Sequence, residues 1–348
     1  MPALDRNLQV RAGILSGEAA VTVGAEGQGM VAGDLVNTAS RIQSAAEPGA
    51  VLVGESTKRA SEAAVAYEDA GEHSLKGKAQ QFPLARRVGN RYWEWSFVGF
   101  AYPLFVLGDW DAVIAREEGL PDEDWAQVRI AFATLLTSIV PVRVHRGQLD
   151  EAKRTARLFA ELEQSADLQE KSQVRLAEAT LFLADGRHEE ALRSAEASFE
   201  TRHALGIAYE AVREAFVVAV EAALALGDVQ RAEQLLGLVD ALPPGRSARF
   251  LQAHALRFRA RFRVRDGDGD EADRLFGRAI ELLRELDFPF YLAVALLEQG
   301  KTLITDAARD EAEPLLAEAR QIFARLEARP WLERLDAVEA DPRAEVPA

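Results

Sequence analysis

Val31-Ala-Gly-Asp-Leu-Val-Asn-Thr-Ala-Ser-Arg-Ile-Gln43 reads as the start of a short helix with one polar face. Asp34 suits the N-cap, where its carboxylate accepts from the free N–H groups of the first turn. Leu35, Ala39, Ile42 and Ala46 recur at helical spacing and predict one buried stripe. Asn37 and Arg41 are four residues apart, so they share a face roughly opposite that stripe. A guanidinium fork beside a carboxamide suits a phosphate and a sugar, and it suits plain solvent equally well. Downstream, Leu75-Lys-Gly-Lys78 adds two lysines in a turn.

Around that helix the pattern alternates. Residues 8–15 are a β-type run, and residues 19–23 are expected to return beside it as a hairpin after Gly17. Residues 50–53 are short, apolar and preceded by Pro48-Gly49, which predicts a buried strand. Residues 57–65 predict a helix and 82–88 a closing strand. The expectation is an α+β unit over residues 1–90, with an incomplete sheet that leaves one edge unpartnered.

Beyond Gly89-Asn90 the strand signals stop and a repeat begins. Leu149-Asp-Glu-Ala152, His188-Glu-Glu-Ala191, Val229-Gln-Arg-Ala232, Gly269-Asp-Glu-Ala272 and Arg309-Asp-Glu-Ala312 share a motif, with a weaker copy at Trp110-Asp-Ala112. The alanines are spaced by 40, 39, 41, 40 and 40 residues, and a glycine precedes four of them by five positions. A fixed period of this length marks a repeated helix pair. Glycine closes the first helix, acidic residues open the second, and the small alanine lets the two approach. Second helices are expected at 150–162, 189–202, 230–239, 270–286 and 310–326. Residues 256–265, Leu-Arg-Phe-Arg-Ala-Arg-Phe-Arg-Val-Arg, alternate like a strand or a basic nucleic-acid strip. The repeat register makes them a first helix instead, with two apolar faces and its arginines against the acidic second helices. Tyr92, Trp93, Trp95, Phe97, Phe100 and Phe105 crowd the start of this region and read as the filled end of the array.

The N-terminal segments together resemble the C-terminal half of a class III adenylate/guanylate cyclase domain. The resemblance is carried by Val10-Arg-Ala-Gly-Ile-Leu-Ser-Gly-Glu18, Gly33-Asp-Leu-Val-Asn-Thr-Ala-Ser-Arg41, Glu47-Pro-Gly-Ala-Val-Leu-Val53 and Leu75-Lys-Gly-Lys78, in family order. It implies a partial ferredoxin-like fold over residues 1–90. It also implies that Asn37 orients the ribose, Arg41 stabilises charge on the transferred phosphate, and Lys76, rather than Lys78, contacts a phosphate. Met30 and Gly33 would lie against the nucleotide, and Met30 stands where active relatives often carry a polar base-reading residue. The family's two metal-binding aspartates belong to its N-terminal half, which these residues do not resemble. The chain therefore reads as truncated, with no metal ligands and no cofactor of its own. Mg or Mn is expected only if that half is supplied. Residues 91–348 resemble tetratricopeptide repeats of the longer kind found in bacterial signalling regulators, which implies an all-α solenoid with a concave protein-binding surface.

Composition narrows the partners. Residues 1–90 hold 9 basic and 10 acidic residues, so nearly all of the net charge of −15 falls on the rest. That argues against nucleic acid or an anionic membrane as partner. There are no cysteines, hence no disulfide framework and no thiolate chemistry. No phosphate loop occurs: Gly24-Ala-Glu-Gly-Gln-Gly29 is not followed by lysine. Five histidines, at 73, 145, 188, 203 and 254, show no paired metal spacing; His73 near Lys76 could assist a phosphate, but it reads first as a solvent-exposed loop histidine. The start lacks a secretory pattern, and the apolar run 97–107 is too short to span a bilayer, so a cytoplasmic protein is expected. Three readings follow. The first is a signalling regulator, not an enzyme by itself, that binds proteins through its repeats. The second is a nucleotidyl cyclase completed by a second cyclase half or a homodimer. The third is a remnant. Limited proteolysis of the whole chain is expected to leave a helical fragment beginning near Asn90, because stacked repeats bury a continuous core; first cleavage within the repeats contradicts it.

Overall fold

A β–α–β crossover organises the first of two units, Met1–Ser96 and Phe97–Ala348. The computed structural model describes residues 11–17, 20–21, 31–32, 34–62, 65–76, 81–87, 101–118, 133–242, 248–306 and 308–341. Strand β1 (Ala12–Ile14) runs parallel to β4 (Val51–Gly54), and helix α1 (Asp34–Ala45) lies on the connection between them. Parallel neighbours need such a crossover, and the helix it carries covers the sheet. That geometry corrects the expected hairpin: β2 (Ala20–Val21) pairs antiparallel with β3 (Val31–Ala32), within the crossover, and not with β1. After β4 come α2 (Glu55–Ser61), β5 (Tyr67–Ser74) and β6 (Gln81–Arg87), giving the sheet order β1-β4-β6-β5. The β5–β6 pair is antiparallel with a bulge between Asp69 and Gly71. β5 escapes sequence reading because Tyr-Glu-Asp-Ala-Gly-Glu-His-Ser alternates weakly and carries glycine and acids. The predicted helix at 57–65 starts earlier, directly from β4, and ends at Ser61.

The core of this unit is Ile42 and Ala46 from α1 and its end, with Leu52, Leu75 and Leu84 beneath. Thr38 is also buried, while Leu35 and Ala39 are only half-covered, so the predicted stripe is narrower than read. Gly13 explains how α1 sits so low: a Cβ there would lie 2.1 Å from the Gln43 nitrogen and 2.6 Å from the Ala39 carbonyl oxygen. Only a bare α-carbon permits that approach of strand to helix backbone. Among the described residues the outer edge of β1 has no partner strand, and Ile14 on it is 45% exposed.

The second unit is helical throughout its described residues. Short helices α3 (Tyr102–Leu107) and α4 (Trp110–Glu118) precede five pairs: α5 (Leu136–His145) with α6 (Leu149–Arg157), α7 (Leu168–Ala184) with α8 (His188–Glu200), α10 (Glu210–Ala225) with α11 (Val229–Asp240), α12 (Arg249–Arg265) with α13 (Gly269–Glu285), and α14 (Pro289–Thr305) with α15 (Arg309–Leu326). A single turn, α9 (Arg202–Leu205), and a last helix, α16 (Arg329–Ala340), complete the unit. Gly147 shows how each pair turns: at φ 77° it lets its own N–H reach Val144 O at 3.0 Å and the Gln148 N–H reach Arg143 O at 2.7 Å. The same paired bonds recur at Gly186, Gly227 and Gly267. In the last copy Ala307 lies outside the described residues, and Ala308 N–H still bonds Leu303 O at 2.8 Å. Ala152, Ala191, Ala232, Ala272 and Ala312 all have no exposed surface. The basic run 256–265 is helical, as the repeat register requires. The expected helix 150–162 is shorter: its last bonds tighten at Leu158 and Phe159, and a 3₁₀ turn follows at Ala160–Gln164. Of the aromatic run, residues 92–100 lie outside the described set, and Phe105 is buried.

The array closes on itself. α3 packs on α14, and α5 packs on α16. Arg146 Nε donates to Leu326 O at 3.1 Å, and Trp331 Nε1 donates to His145 Nδ1 at 3.2 Å. Phe290 sits within aromatic contact of Trp110, His145, Tyr291, Phe323 and Trp331, which joins first and last helices in one cluster. Among the described residues no helix is long and apolar enough to cross a membrane.

Gly13→Ala tests the strand–helix contact. It is expected to destabilise the first unit by about 2–3 kcal/mol through overpacking. Hydrogen exchange of the whole chain should then show lost protection over 34–45 and 51–54 and unchanged protection in α12 and α14. Unchanged protection in the first unit would refute the contact.

Candidate functional site

In the first unit, α1 places Asn37 exposed and Arg41 half-buried, while Thr38 and Ile42 turn into the core. Thr38 Oγ1 donates to Asp34 O at 2.7 Å, a bond within the helix that leaves the Asn37–Arg41 face outward. Among the described residues, no side-chain hydrogen bond or ion pair engages Asn37, Arg41 or Lys76. Lys76 is exposed in the turn after β5, next to buried Leu75. Met30, Gly33 and Lys78 lie outside the described residues. His73, read as a solvent-exposed loop histidine, instead stands half-buried on β5 and donates Nε2–H to the Ala70 carbonyl at 3.0 Å.

Sequence reading missed a hydroxyl anchor in this unit. Thr57 Oγ1 accepts from Ser16 N–H at 2.7 Å, and Ser56 Oγ donates to Ser16 O at 2.7 Å. These bonds fix the turn after β1 to the start of α2. Small hydroxyl residues flanking Gly17 and following Gly54 were the available signal.

Among the described residues no three histidine, aspartate or glutamate side chains converge. Three acids of this unit are used locally: Glu68 pairs with Arg86, Glu55 with Arg59, and Asp69 accepts from Gly71 N–H at 2.8 Å. No step through a metal is therefore derived from these residues.

Residues 2–85 match the adenylate and guanylate cyclase catalytic domain family. The match lies within the first unit and is similarity over that stretch; it leaves the helical unit unassigned. No curated protein matches the chain significantly.

The helical unit holds a second concentration of chemistry. Arg257, 2% exposed, bridges three helices: Nε donates to Glu298 Oε2 at 2.7 Å, Nη2 donates to Glu298 Oε1 at 2.8 Å, and Nη2 also reaches Glu221. Arg261 Nη1 donates to Glu221 Oε2 at 2.6 Å. These partners stand on the neighbouring first helices α10 and α14. The expectation that the arginines face the acidic second helices therefore holds only for Arg259 with Asp240. Burial pushes the Glu221 carboxyl up, but Arg261 and Arg257 outweigh it and hold it down at about 2. Deeper still, Tyr102 and Tyr291 both donate to Glu214, whose carboxyl burial pushes up. The readable signal was the register: Arg257 falls where its 40-residue neighbours are Val217 and Leu297, so a charge occupies an apolar position.

His254 is fully buried among Phe250, Phe258 and Tyr291, and burial lowers it well below its ordinary value. Arg257 on its own helix and Arg213 on α10 lower it further, while Glu221 on α10 opposes them. A histidine depressed in the folded state takes up its proton only on unfolding. Stability is then complete above pH 6.5, the ordinary histidine value, and falls as the pH drops below it. His254→Phe, which fits the aromatic surroundings, is expected to narrow the loss of the urea midpoint between pH 7 and pH 5. An unchanged pH dependence would count against a neutral buried imidazole.

Proposed function

We propose that the first unit is the transition-state half of a class III nucleotidyl cyclase site and that the chain acts in cyclic-nucleotide signalling. One observation supports this reading best. The cyclase-family match falls on the unit whose helix α1 buries one side in the core and turns Asn37 and Arg41 outward together. In the cyclase reaction a ribose 3′-oxygen attacks the α-phosphate and pyrophosphate leaves. Asn37 holds the ribose for that attack, Arg41 stabilises charge building on the phosphate, and Lys76 neutralises a phosphate oxygen. Met30 and Gly33 belong to the nucleotide wall in this reading. The metal-binding carboxylates come from a second cyclase half, in another chain or in residues beyond these. Alone, these 348 residues turn over no nucleotide.

The helical unit is of the tetratricopeptide kind in this reading and binds a protein partner in the cytoplasm. Because α3 and α5 meet α14 and α16, the partner engages the outer helix faces and not an open groove.

The test is complementation. The purified chain with ATP or GTP and excess manganese should give no cyclic nucleotide above a buffer blank. Mixed with a cyclase half carrying two metal-binding aspartates, it should gain activity. Arg41→Ala should then cost about 10²–10³ in rate, since a donor aimed at developing charge is lost. Arg41→Lys should not restore it, because a point charge cannot replace the planar fork. Activity of the chain alone, or an Arg41→Ala mixture as active as wild type, would overturn the assignment.

A further inference from the structure

Inside the ring of the helical unit lies a cavity of about 640 Å³. That volume is in the range of small-ligand sites. Most of its wall is apolar: Leu176, Val217, Phe290, Val294, Leu297 and Trp331. Charged groups line the rest, and they are engaged with the protein itself. Arg257 and Arg261 pair with Glu221 and Glu298. Glu214 accepts from the hydroxyls of Tyr102 and Tyr291. Arg334 lies over the Trp331 ring with its guanidinium carbon 4.5 Å from the centroid, and Glu221 acts on its charge. Lys301 is likewise engaged with its surroundings. The hydroxyls turn to their own helices: Thr180 Oγ1 donates to Leu176 O at 2.9 Å, and Thr302 Oγ1 donates to Glu298 O at 3.1 Å. An ion entering this cavity would leave water and meet counter-ions already committed, which is the costly case for a charge. The wall therefore favours an uncharged molecule.

One polar group on the wall stands apart. His145 lines the cavity in contact with the rings of Trp110, Phe290 and Trp331. Its Nδ1 accepts the indole proton of Trp331 at 3.2 Å. An indole N–H only donates, so the proton of the neutral imidazole stands on Nε2. Burial keeps the ring neutral by lowering its pKa to about 3, and Arg334 adds to that effect. Among the described residues no acceptor takes the Nε2–H, yet the atom is not sealed in the core as the unpartnered His254 Nε2 is. A neutral donor set among apolar side chains calls for an acceptor without charge, on a molecule whose remainder is hydrocarbon.

We propose that this cavity binds an uncharged, largely apolar small molecule bearing a carbonyl oxygen, with that oxygen accepting from His145 Nε2–H and the hydrocarbon lying along Phe290, Val294, Leu297 and Trp331. The helical unit is then a ligand-sensing module, and binding inside the ring is independent of the nucleotide reading of the first unit.

The experiment uses the full chain. Decan-2-one, decanoate and decyltrimethylammonium are titrated by calorimetry, and N-phenyl-1-naphthylamine, an uncharged probe without an acceptor oxygen, by fluorescence. Decan-2-one is expected to bind at one saturable site, and each ion about tenfold or more weakly, because it must shed water without a free counter-ion. His145→Phe keeps the ring contacts and removes the N–H. It should weaken decan-2-one about three- to tenfold, the worth of one hydrogen bond, and leave the naphthylamine unchanged. Val218→Trp and Val144→Trp, at half-buried positions on the wall, should each exclude both neutral probes while the far-ultraviolet circular dichroism stays helical. Four results would overturn the proposal: decanoate binding as tightly as the ketone, no saturable ketone binding, a folded His145→Phe variant in which the ketone is unmoved or weakened no more than the naphthylamine, or full ketone binding to both folded tryptophan variants.

Discussion

Two helices approach closely only where nothing larger than a methyl group stands between them. Ala152, Ala191, Ala232, Ala272 and Ala312 meet that condition, one in each helix pair, and each is wholly covered. The rest of the helical unit depends on this spacing. It sets the depth at which each second helix lies on its first, and so places the first helices side by side with both of their faces covered. Phe216, Phe258 and Leu296, each fully buried on successive first helices, fill the space so defined.

The centre of the unit answers a different requirement. Buried Arg257 with half-buried Glu221 and Glu298 ties α10, α12 and α14 together. Buried ion pairs recover little net stability once desolvation is counted, but breaking one leaves a charge stranded. Their effect here is to fix α12 against α10 and α14 at one point.

The fold was legible where local chemistry repeats. Glycine at a fixed distance before alanine announced each helix pair, and the structure gives those glycines positive φ. The 40-residue register also outweighed the strand-like alternation of residues 256–265. Legibility failed where the decisive contact is distant in sequence. The close approach of Gly13 to Gln43, the pairing of β2 with β3 and the weakly patterned β5 depend on partners that no local window contains. In the first unit, the shared face of Asn37 and Arg41 on α1 was readable from spacing, and the hydroxyl anchor between Ser16 and Thr57 was not. Ring closure left no local trace either, since Arg146 meets Leu326 across 180 residues.

That closure changes what kind of object the helical unit is. An open array of repeats is a one-dimensional stack whose stability grows by roughly equal increments and whose length can drift by one unit in either direction. A ring has a fixed circumference. Adding or deleting one 40-residue pair would part Phe290 from His145 and Trp110 and expose an aromatic seam at both ends. Such a unit unfolds as one piece, and over evolutionary time it keeps its number of repeats or loses its shape.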